Sequence, residues 1–471
     1  MQTNHLTICS KWIMFHFFIL SLIILVPTPC PSETLNESSD QIWEVGLNRW
    51  TIEEEYRFGK WVEENITEDF FIRYRTPTDC ADVPYAIRWI YARIAHLPAA
   101  AVTKNGKLIG HWSRDWRHLP THTEWQHDQR FRAALLHILS ETWTKTLPLD
   151  TYPIRISPDS VTPGTLLCMT ESHCGIVGHV SYGGSQAHPL QTWESMLPVK
   201  ARKLVLRNFF SARPESKIRT GLVKFRWPVL ANGGWKYLPV KEHPFYSEEQ
   251  YTSVFYEGYA DYVEAVAKRI DPTDYDPWEK VEKVIDTMTL YIQERVTIVS
   301  EGFKRCRKGG CPEGSILWEI HSTPGRDGMI TLWMDHLHQI IETNHLDKEV
   351  VREKMEAIPF NITKDRSISF YHLYQNYLWL SPHPEDSVEA RWGLKKCDMI
   401  LSQIRSAKNS VTFIERAYRK RDSKYADFAI RQQQEILRRL TGEWNRSHCK
   451  ETKEVKRDKD SMATKKGEKG R

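Results

Sequence analysis

Two spacings of apolar residues divide this 471-residue chain. From about 40 to 240 helical and strand periods mix. Val83, Ala86, Ile87, Ile90, Tyr91 and Ile94 fall at i, i+3/i+4, i+7, the buried face of one amphipathic helix. Further helices are predicted over 51–65 and 128–144, on either side of that helix and a stretch, 105–127, dense in Trp and His. Short apolar runs bounded by turn residues then predict strands at Thr165–Met169, His173–Tyr182, Lys203–Phe210 and Gly221–Pro228. Helices followed by strands, without βαβ alternation, predict an α+β fold.

From about 245 to 446 the spacing is helical. Ser247-Glu-Glu-Gln250 reads as a capping box with Tyr246 and Tyr251 as its staple, opening a helix faced by Phe255, Tyr262 and Val266. Asp276-Pro277 reads as an N-cap followed by an N1 proline, and Val281, Val284, Ile285, Met288, Tyr291 and Ile292 form the stripe behind it. Two long, charge-laced helices, about 386–419 and 424–444, complete an all-α helical domain over 245–446.

The ends are of other kinds. Lys11 precedes an uncharged run from Trp12 to Val26, then Pro27-Thr-Pro-Cys-Pro-Ser32. This reads as a signal peptide over 1–32 in an exported (periplasmic or extracellular) protein, with a membrane anchor through 12–26 as the alternative. Pro29 stands before Cys30 where a lipoprotein site carries a small residue, which makes lipidation the minor option. Residues 447–471 read as a charged, disordered tail. Lys450–Arg471 hold nine Lys/Arg against five Asp/Glu, which leaves the rest of the chain near +1 of the total +5. Nothing in that balance argues for nucleic-acid binding.

Removing the leader leaves Cys80, Cys168, Cys174, Cys306, Cys311, Cys397 and Cys449. Cys306-Arg-Lys-Gly-Gly-Cys311 can close on itself. If the other structural cysteines pair as well, one odd thiol remains, and Cys80 is the natural candidate. It sits where a loop ends and the 83–94 helix begins, with Thr78 or Asp79 to cap it. The positive end of a helix dipole favours thiolate over thiol, and the thiolate is the nucleophile.

A cysteine nucleophile needs a base and a third group to orient it. His173, heading the strand His173-Cys-Gly-Ile-Val-Gly-His-Val180, is the expected base, with His179 as its rival on the same face of an unbroken strand. His188, on the next strand-like segment, is the expected third group. Three other features have both a functional and a plain structural reading. His118 and His122 have metal-like spacing, but Pro120 breaks the helix that would align them, so the 105–127 loop reads better as a rim of indoles or a packed surface loop. The basic residues between Pro198 and Leu204 suit an acidic substrate or a solvated strand end. His321-Ser-Thr-Pro-Gly-Arg-Asp327 is a polar turn that serves a cleft between domains or caps a helix.

Asp79-Cys80, the Pro163-Gly164 turn and His173-Cys-Gly-Ile-Val177 together resemble the papain-like cysteine peptidases, particularly NlpC-type cell-wall amidases. The resemblance implies a papain-like domain over 33–240 and a peptidase or amidase acting through a thioester. In it Cys80 attacks, His173 shuttles the proton and His188 orients it; a peptide or peptidoglycan-type substrate is implied, and no metal or organic cofactor. The chain departs from the pattern in its long Cys80–His173 spacing, in Pro84, and in Asp82, a second carboxylate beside the thiol. Two other outcomes share these residues: a transglutaminase-like acyl transferase, and a non-catalytic envelope or surface binding protein.

Overall fold

A computed structural model describes residues 40–449, apart from 170–172, 197, 209–213, 215, 217–218, 254, 256–258, 307–308, 419–422 and 447–448. The expected leader or anchor and the charged tail past 449 lie outside the described residues. Among those described, no helix is long and apolar enough to cross a membrane.

The chain begins with helices α1 (Ile52–Asn65), α2 (Phe70–Arg73) and α3 (Asp82–Ile94), then a hairpin, β1 (Ala100–Val102) and β2 (Leu108–Gly110), and helices α4 (Gln129–Glu141) and α5 (Leu147–Asp150). A sheet follows: β3 (Thr151–Pro153), β4 (Leu166–Cys168), β5 (Cys174–Val180), β6 (Leu190–Glu194), β7 (Val205–Asn208) and β8 (Gly221–Phe225). Its order is β3-β8-β4-β5-β6-β7, antiparallel throughout. A second hairpin, β9 (Pro228–Ala231) and β10 (Gly234–Tyr237), leads into the helical region. That region comprises α6 (Tyr259–Ile270), α7 (Pro277–Arg305), α8 (Ile316–His321), α9 (Pro324–Thr343), α10 (Lys348–Glu356), a hairpin of β11 (Pro359–Thr363) and β12 (Arg366–Ser369), α11 (Phe370–Asn376), α12 (Val388–Arg391), α13 (Lys396–Tyr418) and α14 (Ser423–Arg446). The architecture is mixed α+β with a C-terminal helical region.

The strands read as apolar runs because the sheet is covered on both faces. Successive side chains point to opposite faces. Leu166, Ile176 and Val223 join a core with α1, α3 and α4, while their neighbours Leu167, Val177 and Leu222 join a second core with α6, α7 and α9. The boundary read near residue 240 is therefore not a gap in packing: from Asp40 onward the chain clusters as one compact unit. Buried polar pairs lock α3 in the first core. Arg88 Nη2 meets Glu55 Oε1 of α1 at 2.6 Å, and Arg93 Nη2 meets Asp128 Oδ2 at 2.9 Å.

Three sequence expectations are corrected. Ser247–Gln250 opens no α-helix: Glu249–Tyr251 form a 3-10 turn, and α6 starts at Tyr259. Gln250 is spent on the sheet instead, accepting from Leu222 N–H at 2.9 Å and donating to Leu222 O at 2.9 Å. The helical region is not all-α, because Phe360 and Ile362 alternate with exposed residues and build the β11–β12 hairpin. The long helix over 386–419 is broken at Gly393, whose φ of +68° a helix cannot use.

Candidate active site

The loop before α3 is built by two carboxylates. Asp79 Oδ1 accepts from the N–H groups of Ala81 (3.0 Å) and Asp82 (3.2 Å), and Asp82 Oδ2 accepts from Asp79 N–H at 3.0 Å. This is a reciprocal capping box with Asp at both corners. Thr78 does not cap; its N–H donates to Lys200 O at 3.2 Å, joining the loop to the segment after β6. Pro84 has no N–H to give the Cys80 carbonyl, so 80–81 form a turn and regular helix begins at Asp82. The N–H groups of Ala81, Asp82 and Val83 are all spent on Asp79. The Cys80 N–H is bonded by none of the described residues.

Asp82, expected as an opposing charge beside the thiol, is 3% exposed. Burial first, then the Asp79 charge, push its pKa up to about 7. Both act against its negative charge, and its carboxyl is turned onto the Asp79 N–H. The expected obstruction is correspondingly reduced.

His173 precedes β5 in a closed hairpin. Cys168 and Cys174 lie opposite each other on β4 and β5 and are joined by a disulfide, and Met169 N–H donates to His173 O at 2.8 Å. Gly164, at φ +88°, makes the turn into β4 against the Phe58 ring, where a Cβ would sit 2.6 Å from a ring carbon. Disulfides also join Cys306 to Cys311 and Cys397 to Cys449, so Cys80 is the free cysteine among the described residues.

The His173 ring lies close enough to the Cys80 side chain for the two to interact, and its Nε2 lies 3.3 Å from Glu194 Oε2. Burial alone would discharge the imidazole. The thiol and Glu194 outweigh that and push its pKa up to about 10. Glu194, at the end of β6, is 5% exposed. Burial works against its charge, but His173, Arg207 and Thr192 leave its pKa lowered overall. Thr192 Oγ1 donates to Glu194 Oε1 at 2.9 Å, and Arg207 Nε stands 3.9 Å from Oε2. Arg207 continues the line into the helical region, pairing with Glu294 and lying over the Tyr291 ring of α7.

The structure thus brings Cys80 and His173 together and leaves His188 elsewhere. His188 is buried under α6, where Nε2 donates to Val263 O (3.2 Å) and Nδ1 accepts from Leu190 N–H (3.1 Å). Burial pushes its pKa down to about 3, so the ring is neutral. Glu194 occupies the position expected of His188, and strand direction explains why. His173 stands before the first residue of β5, so the end of antiparallel β6 approaches it, while His188 precedes β6 at the far end, beside Ser181. The rival base His179 lies past a bulge between Val177 and His179 and pairs at the surface with Glu63 of α1 at 2.7 Å. The indoles of 105–127 are packed inward: Trp112 stacks on Trp235 at 5.3 Å, and Trp125 is buried against Tyr74. His122 Nδ1 accepts from Glu124 N–H at 3.0 Å, and no group of three or more His, Cys, Asp or Glu among the described residues is placed to hold a metal ion.

Cys80, His173, Glu194 and Arg207 form a continuous line: thiol, imidazole, buried carboxylate, guanidinium. Compared with protein-family models, curated proteins and solved structures, the chain has no match.

Proposed function

We propose that this chain is an exported thiol-dependent amide hydrolase of the papain-like, NlpC-type kind, acting on a peptide. The observation that carries the reading is the free Cys80 thiol beside a half-buried His173 whose far side is held by Glu194. A nucleophile before a helix and a base at the onset of a later sheet strand is the arrangement the sequence resemblance implies, with Glu194 in place of its expected third group, His188. Three disulfides in the described chain favour an oxidising compartment.

In this reaction Cys80 Sγ, ionised with its proton on His173, attacks the amide carbon. A C–S bond forms and the carbonyl electron pair moves to oxygen, with the unspent Cys80 N–H available to that oxyanion. Collapse breaks the C–N bond, and the His173 proton leaves with the amine, giving a thioester. Water then attacks while His173 takes its proton, and the C–S bond breaks to release the acid and restore the pair. Glu194 is a positioning residue: it holds the ring and its charge and does not touch the reacting atoms.

The test is the rate of iodoacetamide labelling at Cys80, followed by peptide mass mapping from pH 5 to 10, in wild type and His173→Ala. Near pH 6 the wild type should label at least about tenfold faster, and the gap should close as ordinary thiol ionisation takes over. Equal rates near pH 6 would overturn the enzyme reading and leave a binding protein.

A further inference from the structure

Beside Glu194 the surface opens into a groove of about 400 Å³. Lys200 and Arg202, between β6 and β7, and Arg207 on β7 form one wall; Glu294 of α7 and Arg326 of α9 form the other. The groove adjoins the nucleophile loop directly. Ser195 Oγ donates to Thr78 O at 3.2 Å, and Lys200 O accepts from Thr78 N–H at 3.2 Å, two residues before Cys80.

Charge in the groove does not balance. Five basic side chains, counting Lys203, line it against two carboxylates. Lys203 reaches outward to Glu68 at 2.7 Å. Glu194 serves His173 and Arg207, and Glu294 pairs closely with Arg207. Arg326 is left with a Glu294 oxygen at 3.9 Å, beyond hydrogen-bond range, and its Nη2 rests on the Met196 sulfur at 2.8 Å. Its Nε is buried with no hydrogen-bond partner among the described residues. Burial pushes the Arg326 pKa down to about 10, while Glu294 and Asp327 support its charge against Arg207 and Arg202. A half-buried guanidinium whose Nε has no acceptor costs the fold stability. An incoming anion would relieve it.

We propose that this groove holds a carboxylate-bearing segment of the substrate beside Cys80, making an acidic peptide the preferred substrate and Lys200 and Arg326 its specificity-determining residues. The inference rests on the thiol-hydrolase reading, and it gives the helical region a task. Helices α7 and α9 supply the second wall of the substrate groove, with Arg326 in the first turn of α9.

Two alkylating agents that differ in charge test the groove on the full chain. The ratio of iodoacetate to iodoacetamide labelling rates at Cys80 is measured against the same ratio for N-acetylcysteine. The His173 imidazolium raises that ratio in any charged pair, so the groove variants decide. Lys200→Gln and Arg326→Gln should each lower it about threefold or more at low ionic strength, and about 0.5 M salt should shrink the wild-type excess. The peptide Ac-Glu-Glu-Glu-Glu-NH2 should protect Cys80 from iodoacetamide where Ac-Lys-Lys-Lys-Lys-NH2 does not. Fast iodoacetamide labelling with a ratio unchanged in both variants, and no difference between the peptides, would overturn the groove and leave the nucleophile standing. Slow iodoacetamide labelling that His173→Ala does not alter would overturn both.

Discussion

Replacing Glu194 with Gln removes one charge from the buried line and keeps its shape, because the amide oxygen can still accept from Thr192. The carboxylate lies 3.3 Å from His173 Nε2; Glu194 is buried and the ring half-buried. Bare attraction at an effective dielectric of about 20 gives roughly 5 kcal/mol at that separation, an upper bound. Arg207 already offsets part of the charge, so the range for hydrogen bonds to charged groups, about 1.5–3 kcal/mol, is the better measure. At about 1.4 kcal/mol per pKa unit, His173 should fall by about one to two units from its value of about 10. Titration of the ring by two-dimensional NMR reads this directly. A shift below about 0.3 unit, or a rise, would refute the assignment of Glu194 as the group that holds the imidazolium. The stability difference between the two proteins has a determined sign as well. The raised pKa of His173 stabilises fully below the free value of about 6.5 and is lost as pH climbs toward about 10. The lowered pKa of Glu194 stabilises fully above its free value of about 4.3 and is lost as pH falls. The advantage of wild type over Glu194→Gln should therefore peak between about pH 4.5 and 6.5 and shrink on either side.

Asp82→Asn keeps an oxygen for the Asp79 N–H and has no proton to lose. The raised pKa of Asp82 stabilises fully below about 3.9 and is lost as pH rises through about 7, so the variant's thermal stability relative to wild type should grow from pH 5 to 8.5, by a few kcal/mol at most. A difference that stays flat over that range in paired melting curves would count against the buried-carboxylate reading. His188→Gln should lower stability by about 1–2 kcal/mol through its two buried hydrogen bonds, with the pH profile of Cys80 labelling kept as in wild type. Loss of that profile in a folded variant would return His188 to the site.

That Cys80 and His173 lie together was legible because each carries a local signature: a cap and apolar stripe behind the one, a strand onset behind the other. The group on the far side of the imidazole was not, because it is a matter of strand register, and His188 was simply the nearest titratable ring. The missing signal was direction. The residue facing the start of β5 must come from the end of β6, where Glu194 follows Leu190-Gln-Thr-Trp193 as a carboxylate on a strand otherwise free of charge. The Ser247–Gln250 motif misled for a related reason. A capping box is recognised by residue types that serve equally well elsewhere, and here a buried pair of sheet groups, Leu222 N–H and C=O, competes for Gln250 and wins. Neither outcome is encoded within a window of a dozen residues.

The helical region also looks different once the sheet is in place. Read alone, its stripes describe a bundle with its own core, and a bundle of that kind could be removed without harm to the site. In the fold, those stripes cover Leu167, Val177 and Leu222, which would otherwise face water on a sheet already committed on its other side. The same contact brings Glu294 and Tyr291 to Arg207, and through Arg207 to the carboxylate that holds His173. Burial and electrostatics therefore act through one surface. A perturbation that lifts α7 from the sheet exposes apolar area and at the same time leaves Arg207 to draw on Glu194 alone, weakening the hold on the imidazolium. The charge on His173 is in this sense set by packing more than a hundred residues further along the chain, and Cys80 should lose its reactivity before the fold is lost.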